Sequence, residues 1–326
     1  MNKRKLGKTH LMVSEVGLGC WQLGGDFGPV ADSQADEILN AAIENKINFF
    51  DTADVYGAGQ SERYIGAAVP AANSELIVAT KYGREAVTYP DKYSLTNMRD
   101  ALKRAQDRLQ RDTIDLIQLH CIPTQVMAYG EIFDWLRTVQ QDGLVKYFGA
   151  SVETVAEAQL CAQQDDLATL QIIFNLLRQR PVKELFDITK EREIGVIVRL
   201  PLASGLLSGK YSASTQFAET DHRNYNKDGA AFSVGETFSG IPFEKGLELT
   251  EQLAKFKPSD ITMAQFAMRW ILDHDAVSTV IAGASSPKQV AQNVSVANVA
   301  PLSEDIHADL YDFYLNAVEQ HIRGVF

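Results

Sequence analysis

Short runs rich in Val, Ile and Leu alternate with stretches in which apolar residues recur every three or four positions, and the alternation continues from Glu15 to Ala297. The apolar runs are Glu15–Gly19, Ile47–Asp51, Glu75–Lys81, Ile114–His120, Val145–Ser151, Thr169–Phe174, Gly195–Leu200 and Thr279–Gly283. Near-continuous apolar character with many β-branched residues suits strands that are covered on both faces. Helical periodicity fills the intervals, at Ser33–Asn45, Leu95–Gln110, Ile132–Gln141, Thr154–Gln163, Val182–Glu191, Ile261–Asp273 and Pro287–Ala297. Asp32 or Ser33, Ser94 and Ser286-Pro287 stand where a helix N-cap or first-turn proline belongs.

Strand–helix alternation predicts βαβ units and a parallel sheet. An open doubly wound sheet uses the same units, but eight of them in 326 residues match a closed (β/α)8 TIM barrel better. Ahead of the first unit, Arg4–Thr9 and Met12–Ser14 predict an N-terminal β-hairpin that caps the bottom of the barrel. Phe243–Phe256 and Glu304–Gln320 predict additional helices outside the repeats. Residues 1–326 read as one domain. Only Ser212–Gly240, rich in Ser, Thr, Asn, Asp and Gly, lacks clear periodicity.

Composition narrows the function. A net charge of −11 argues against a nucleic-acid partner, which needs a cationic face, while leaving room for a local basic pocket. Cys20, Cys121 and Cys161 are odd in number and form no CxxC pair, so neither a disulfide framework nor a structural zinc site is expected. The basic start Met1–Lys5 is followed by no apolar leader, and no run approaches the ~18 apolar residues of a membrane span. The expectation is a cytoplasmic protein with no membrane partner.

In a (β/α)8 barrel, chemistry gathers at the C-terminal ends of the strands. The second run ends in Asp51 with Tyr56 close behind, the third in Lys81-Tyr82, and the fourth in His120-Cys121. Alone, Asp51 reads as well as a helix cap, Lys81 as a solvated cation and His120 as a structural histidine. Three consecutive strands delivering Asp, Lys and His to one rim shift the balance. His120-Cys121 are adjacent and lack the further ligands a metal needs. No GxSxG elbow supports a serine hydrolase, and Gly17–Gln22 breaks the dinucleotide fingerprint GxGxxG. A tyrosine acid remains. Tyr56 would protonate a carbonyl oxygen, Lys81 would lower the ordinary tyrosine pKa of ~10, and Asp51 would hold Lys81. His120 would donate to the substrate oxygen. No side chain carries a hydride, so a nicotinamide cofactor is implied.

Asn48–Gly57 followed by Ser61-Glu62 resembles the signature of the aldo-keto reductase superfamily. The likeness continues through Ile77–Lys81, Ile114–His120, Gly149–Ser151, Pro201–Tyr211 and Ile281–Asn293. The resemblance implies Asp51, Tyr56, Lys81 and His120 as a catalytic tetrad and an extended NADP(H) across the barrel mouth. It implies Ser151 and Gln171 at the nicotinamide carboxamide, and Pro201, Leu202, Ala203, Ser204, Gly205 and Lys210 around the pyrophosphate. Gly283, Ser285, Gln289, Gln292 and Asn293 would surround the adenosine end.

Three departures stand out. Arg199 replaces an aromatic residue expected against the nicotinamide, where its guanidinium could stack on the ring. Val152 follows Ser151 where Asn or Arg is common. Ala282 replaces a proline, and Lys288 is the one basic residue nearby. Arg223 is the candidate for the 2′-phosphate, favouring NADP(H), with NAD(H) as the alternative. Trp21, Phe27 and Tyr82 would border a small carbonyl substrate with some apolar character; sugar aldehydes stay open, since this family includes sugar dehydrogenases. The leading expectation is an aldehyde and ketone reductase working reversibly. The other is a slow-turnover nucleotide-binding subunit similar to potassium-channel β subunits.

Overall fold

The computed structural model describes residues 1–70, 72–73 and 75–326. Two short strands open the chain, β1 (Lys3–Lys5) and β2 (Met12–Ser14), paired antiparallel with Lys3 opposite Ser14. Eight parallel strands follow: β3 (Val16–Gly19), β4 (Phe49–Asp51), β5 (Ile77–Tyr82), β6 (Ile114–His120), β7 (Val145–Ser151), β8 (Thr169–Ile173), β9 (Gly195–Arg199) and β10 (Val277–Gly283). Each pairs with the next, and β10 closes on β3 with Val280 opposite Val16. The closed barrel is the one the alternation predicts.

Helices lie between and after the strands along the chain. They are α1 (Asp32–Glu44), α2 (Gln60–Ala68), α3 (Leu95–Leu109), α4 (Thr124–Tyr129), α5 (Glu131–Gln141), α6 (Val155–Ala162), α7 (Pro181–Glu184), α8 (Phe186–Glu191), α9 (His222–Tyr225), α10 (Phe243–Leu253), α11 (Met263–Leu272), α12 (Pro287–Val294) and α13 (Glu304–Phe313). Ser94 and Ser286 cap α3 and α12 through the amides of Asn97 and Gln289, as their positions predict. At α1 neither Asp32 nor Ser33 is the cap: Ala31 holds that position and no side chain caps the helix. The helix expected over Val182–Glu191 is broken at Leu185, whose φ of −130° leaves the helical region. No helix among the described residues is long and apolar enough to cross a membrane.

Side chains alternate across each strand, so the barrel has two apolar layers. Leu18, Phe50, Val78, Ile117, Phe148 and Leu170 face outward into a core shared with the helices. Phe49, Ile77, Ala79, Leu116, Ile197 and Ile281 fill the interior together with Leu6 and Val13 from the hairpin. The hairpin is therefore a plug. Gly7 allows it to seat, because its φ is +56° and any Cβ would collide with the backbone of Glu193 and Gly195.

The same alternation positions the site. Two residues above Phe49 is Asp51; above Ala79 is Lys81; above Leu116 are Gln118 and then His120; above Ile197 is Arg199. The interior is apolar at its plugged end and polar at its open end because of this period of two.

Candidate active site

Lys81 is buried beneath the open end of the barrel and directed by three oxygens. Its Nζ donates to Asp51 Oδ1 at 2.5 Å, to the Thr52 carbonyl at 2.8 Å and to the Tyr56 hydroxyl at 3.3 Å. The other oxygen of Asp51 accepts from Gln118 Nε2 at 2.9 Å and Gln171 Nε2 at 2.7 Å. Asp51 thus has partners on both oxygens, the condition under which a buried ion pair holds. Gln118 was not visible as a functional residue in the sequence, where it interrupts the apolar run of β6. The His120 ring meets Tyr56 edge-on, with centroids 5.9 Å apart.

Burial pushes the Tyr56 hydroxyl up to about 12, with Lys81 pulling the other way and Asp51 adding to the rise. The lowering expected from Lys81 is present, but desolvation outweighs it, so Tyr56 keeps its proton at neutral pH. Burial opposes the charge on Lys81, yet Asp51 and Tyr56 together overcome it and raise its pKa. His120 is held well below its usual range by burial and then by Arg84, Lys81 and Arg199. Its imidazole is neutral, and Nδ1 is buried without a partner. A protonated phenol and a neutral imidazole, backed by a fixed ammonium, make a proton-donating pair.

These groups open into a cleft of about 1060 Å³. Ordinary small-molecule pockets run to roughly 300–1,000 Å³, so this one has room for a dinucleotide and a small substrate together. The sequence candidates Trp21, Phe27, Asp51, Tyr56, His120, Ser151, Gln171 and Arg199 line one stretch of it. Pro201, Leu202, Ser204, Gly205, Lys210, Arg223, Gly283, Ser285, Gln289, Gln292 and Asn293 line the rest. Ser151 Oγ donates to Gln171 Oε1 at 3.3 Å, leaving that oxygen able to accept a further hydrogen bond from the cleft. Asn293 Nδ2 donates to the Gly283 carbonyl at 3.1 Å, and Gln289 Oε1 accepts from the Ser285 amide at 2.8 Å, so these side chains also shape their own loop.

Two candidates are displaced. Tyr82 does not border the cleft: it follows the inward-facing Lys81, so alternation turns its ring outward into the apolar core, where it meets Tyr93 with centroids 6.4 Å apart. The Ala203 side chain likewise packs in the core. Arg223 does line the cleft, but Asp221 takes its guanidinium at 2.5 and 2.9 Å. Arg199 donates to the Val152 carbonyl at 3.1 Å and stands 3.5 Å from both Cys121 Sγ and Glu236 Oε1.

Glu236, Arg84 and Glu153 also line the cleft and were missed. Arg84 and Glu153 stand just beyond the ends of β5 and β7, where the strand-end rule extended by two residues finds them. Glu236 comes from the aperiodic segment after β9 and had no signal. Ser204, in a left-handed conformation with φ +55°, anchors that segment: its Oγ donates to the Glu236 carbonyl and accepts from the Phe238 amide, both at 3.2 Å.

Residues 15–314 match the model of the Aldo/keto reductase family. The chain belongs to this family. A 31% identical relative over 94% of both chains is "Uncharacterized oxidoreductase YqkF" of Bacillus subtilis (strain 168). Among solved structures, the holo form of aldo-keto reductase AKR11C1 from Bacillus halodurans is 28% identical, with a TM-score of 0.79 over 99% of this chain and 100% of that one. The glycerol dehydrogenase AKR11B4 from Gluconobacter oxydans is 26% identical, with a TM-score of 0.80 over 100% of this chain and 98% of that one. This aldo/keto reductase is an oxidoreductase that interconverts carbonyl and alcohol groups with a nicotinamide cofactor.

Proposed function

We propose that this aldo/keto reductase reduces aldehydes and ketones to alcohols, reversibly, with NADP(H) as its cofactor and Tyr56 as its general acid. The observation that supports it best is the buried line Asp51–Lys81–Tyr56 beside a neutral His120, opening into a cleft large enough for both reactants. When bound, the reduced nicotinamide supplies a hydride to the carbonyl carbon. Tyr56 gives its proton to the oxygen on which negative charge develops, and the phenolate left behind is stabilised by Lys81 at 3.3 Å. Asp51 keeps Lys81 charged and in register. His120 donates an N–H to the same substrate oxygen without bringing a charge. In the reverse direction Tyr56 takes the alcohol proton back; one solved relative is named a glycerol dehydrogenase, which supports reversibility.

Ser151 and Gln171 would hold the carboxamide, Pro201–Gly205 the phosphates, and Gly283, Ser285, Gln289, Gln292 and Asn293 the adenosine. Among the described residues that line the cleft, Lys210 is the cation with no carboxylate in ion-pair distance, and it is the group we assign to the 2′-phosphate. Trp21 and Phe27 would border the substrate. The reading also includes a cytoplasmic location and no nucleic-acid or membrane partner.

The test is loss of reduced-nicotinamide absorbance when the purified protein meets a panel of aldehydes and ketones, with NADPH and NADH titrated in parallel. Turnover with tighter binding of NADPH is expected. Tight NADPH binding with no turnover across the panel would favour a nucleotide-binding role instead.

A further inference from the structure

Two loops meet at the cleft, and one histidine joins them. The loop after β3 contributes Trp21, Asp26 and Phe27 to the cleft wall, and the segment after β9 contributes Arg223 and Phe232. Their strands flank β10, so the loops approach one another from either side of it. His222 makes the junction. Its amide donates to the Asp26 carbonyl at 3.1 Å, and its ring sits among Phe27 at 4.4 Å, Trp21 at 4.7 Å and Phe232 at 6.5 Å. Trp21 in turn stacks on Tyr56 at 6.0 Å. A residue of the β9 segment therefore holds the ring that lies against the catalytic phenol.

The imidazole is fully buried, and neither ring nitrogen has a hydrogen-bond partner. Packing alone gives no reason for this, because a phenyl ring would fill the same cage without leaving polar atoms unsatisfied. What an imidazole adds is the ability to take up a proton close to neutral pH.

The surroundings set the sign of that response. Burial pushes the His222 pKa down to about 4; Asp221 and Glu236 pull the other way without overcoming it, and Arg223 adds to the fall. Asp221 Oδ1 stands 3.6 Å from Nδ1, too far for a hydrogen bond, and both Asp221 oxygens are committed to Arg223. The Asp26 carboxylate accepts from Trp21 Nε1 at 2.9 Å and from the Tyr225 hydroxyl at 3.3 Å. Burial raises the Asp26 pKa, so that carboxyl favours the closed arrangement in acid and acts in the opposite sense to His222. When the loops part, His222 meets water and regains an ordinary value near 6.5. Closure is therefore fully favoured above pH 6.5 and weakens about tenfold for each unit below it, until the lower value is reached.

We propose that His222 is a proton-sensitive positioning residue: neutral, it holds Trp21 against Tyr56 and joins the two loops at the cleft; protonated, it lets them part. Acid opening of the cleft rests on the carbonyl-reductase reading and adds a control to it.

Amide hydrogen exchange over residues 217–232, divided by the intrinsic rate at each pH, reads how often the loops part. In the unaltered protein, opening should increase about tenfold from pH 7.5 to 5.5. His222→Phe and His222→Gln cannot gain a proton there and should give flat profiles, with circular dichroism confirming the fold. If the phenylalanine variant does not fold, the glutamine variant and the unaltered protein still decide the matter. A flat profile in the unaltered protein, or an equal rise in the variants, would overturn the proposal.

Stopped-flow fluorescence extends the test to the cleft, using whichever of NADP⁺ and NAD⁺ binds tighter. Its release should quicken severalfold over the same range in the unaltered protein and not in the variants. Parallel profiles would remove His222 from that role. The exchange measurement contains neither substrate nor cofactor. Failure to reduce any carbonyl would sink the reductase reading while the exchange profile still decided the latch. Turnover with a flat exchange profile would do the opposite.

Discussion

Asp221 grips Arg223 through both carboxylate oxygens, Oδ2 to Nη2 at 2.5 Å and Oδ1 to Nε at 2.9 Å. The two residues are neighbours at the start of α9, where Asp221 also caps the helix by accepting from the Arg223 amide at 2.9 Å. The guanidinium lies over Phe217 at 4.6 Å and Phe27 at 5.2 Å, so it ties the segment after β9 to the loop after β3. A cation with its charge already matched in this way is a clasp more than a phosphate ligand.

Arg223→Ala should therefore weaken NADPH and NADH by similar factors, because it loosens a cleft wall that both nucleotides share. Lys210→Ala should weaken NADPH selectively, by about tenfold to a hundredfold, the worth of a hydrogen bond to a charged group at roughly 1.5–3 kcal/mol. Fluorescence titrations with both nucleotides check the pair. A selective NADPH loss in Arg223→Ala would return the 2′-phosphate to that residue.

The proton inventory at Tyr56 makes a second prediction. Its pKa lies above the working range, at about 12, so the acid form needed for reduction is fully populated at neutral pH. Reduction should be flat from pH 6 to 8 as far as this group is concerned, and should fall as pH climbs toward the Tyr56 pKa. Alcohol oxidation needs the phenolate and should rise over the same alkaline range. Tyr56→Phe should lower turnover by about 10²–10⁴ while cofactor still binds. Lys81→Met removes the group that opposes desolvation, so the alkaline rise of oxidation should move to higher pH. Unchanged turnover in Tyr56→Phe would remove it from the acid role.

Much of this geometry was legible in the chain, and the exceptions have physical causes. The strands announce themselves because each is buried on both faces, and the tetrad follows from residues such as Lys81 and His120 that end such runs. Tyr82 misled because closeness in sequence to Lys81 means the opposite face on a strand. Gln118 was hidden for the complementary reason: a polar residue within an apolar run reads as noise until the interior parity is known. Arg84 and Glu153 lay just past the strand ends, within reach of the same rule. Glu236 was out of reach, since its place depends on how Ser204 folds an aperiodic segment back over the barrel.

Asp54 carries the last prediction. It stands between Asp51 and Tyr56 in the chain, is 4% exposed, and neither carboxyl oxygen has a hydrogen-bond partner. Burial, with Glu62 and Glu85 adding to it, pushes its pKa from an ordinary value of 3.8 up to about 8. A folded-state pKa above the unfolded one means that the folded chain binds the extra proton. The associated stability is fully present below pH 3.8 and is lost as pH rises through about 8, where the fold must carry an unpaired buried carboxylate. A shift of this size corresponds to several kcal/mol, on the order of 6 at most. Asp54→Asn keeps the shape and cannot ionise, so its melting temperature should exceed that of the unaltered protein at pH 9, with the difference shrinking toward pH 6. Thermal melts across that range decide it: a variant that melts lower at pH 9 would show that the charged carboxylate has partners after all.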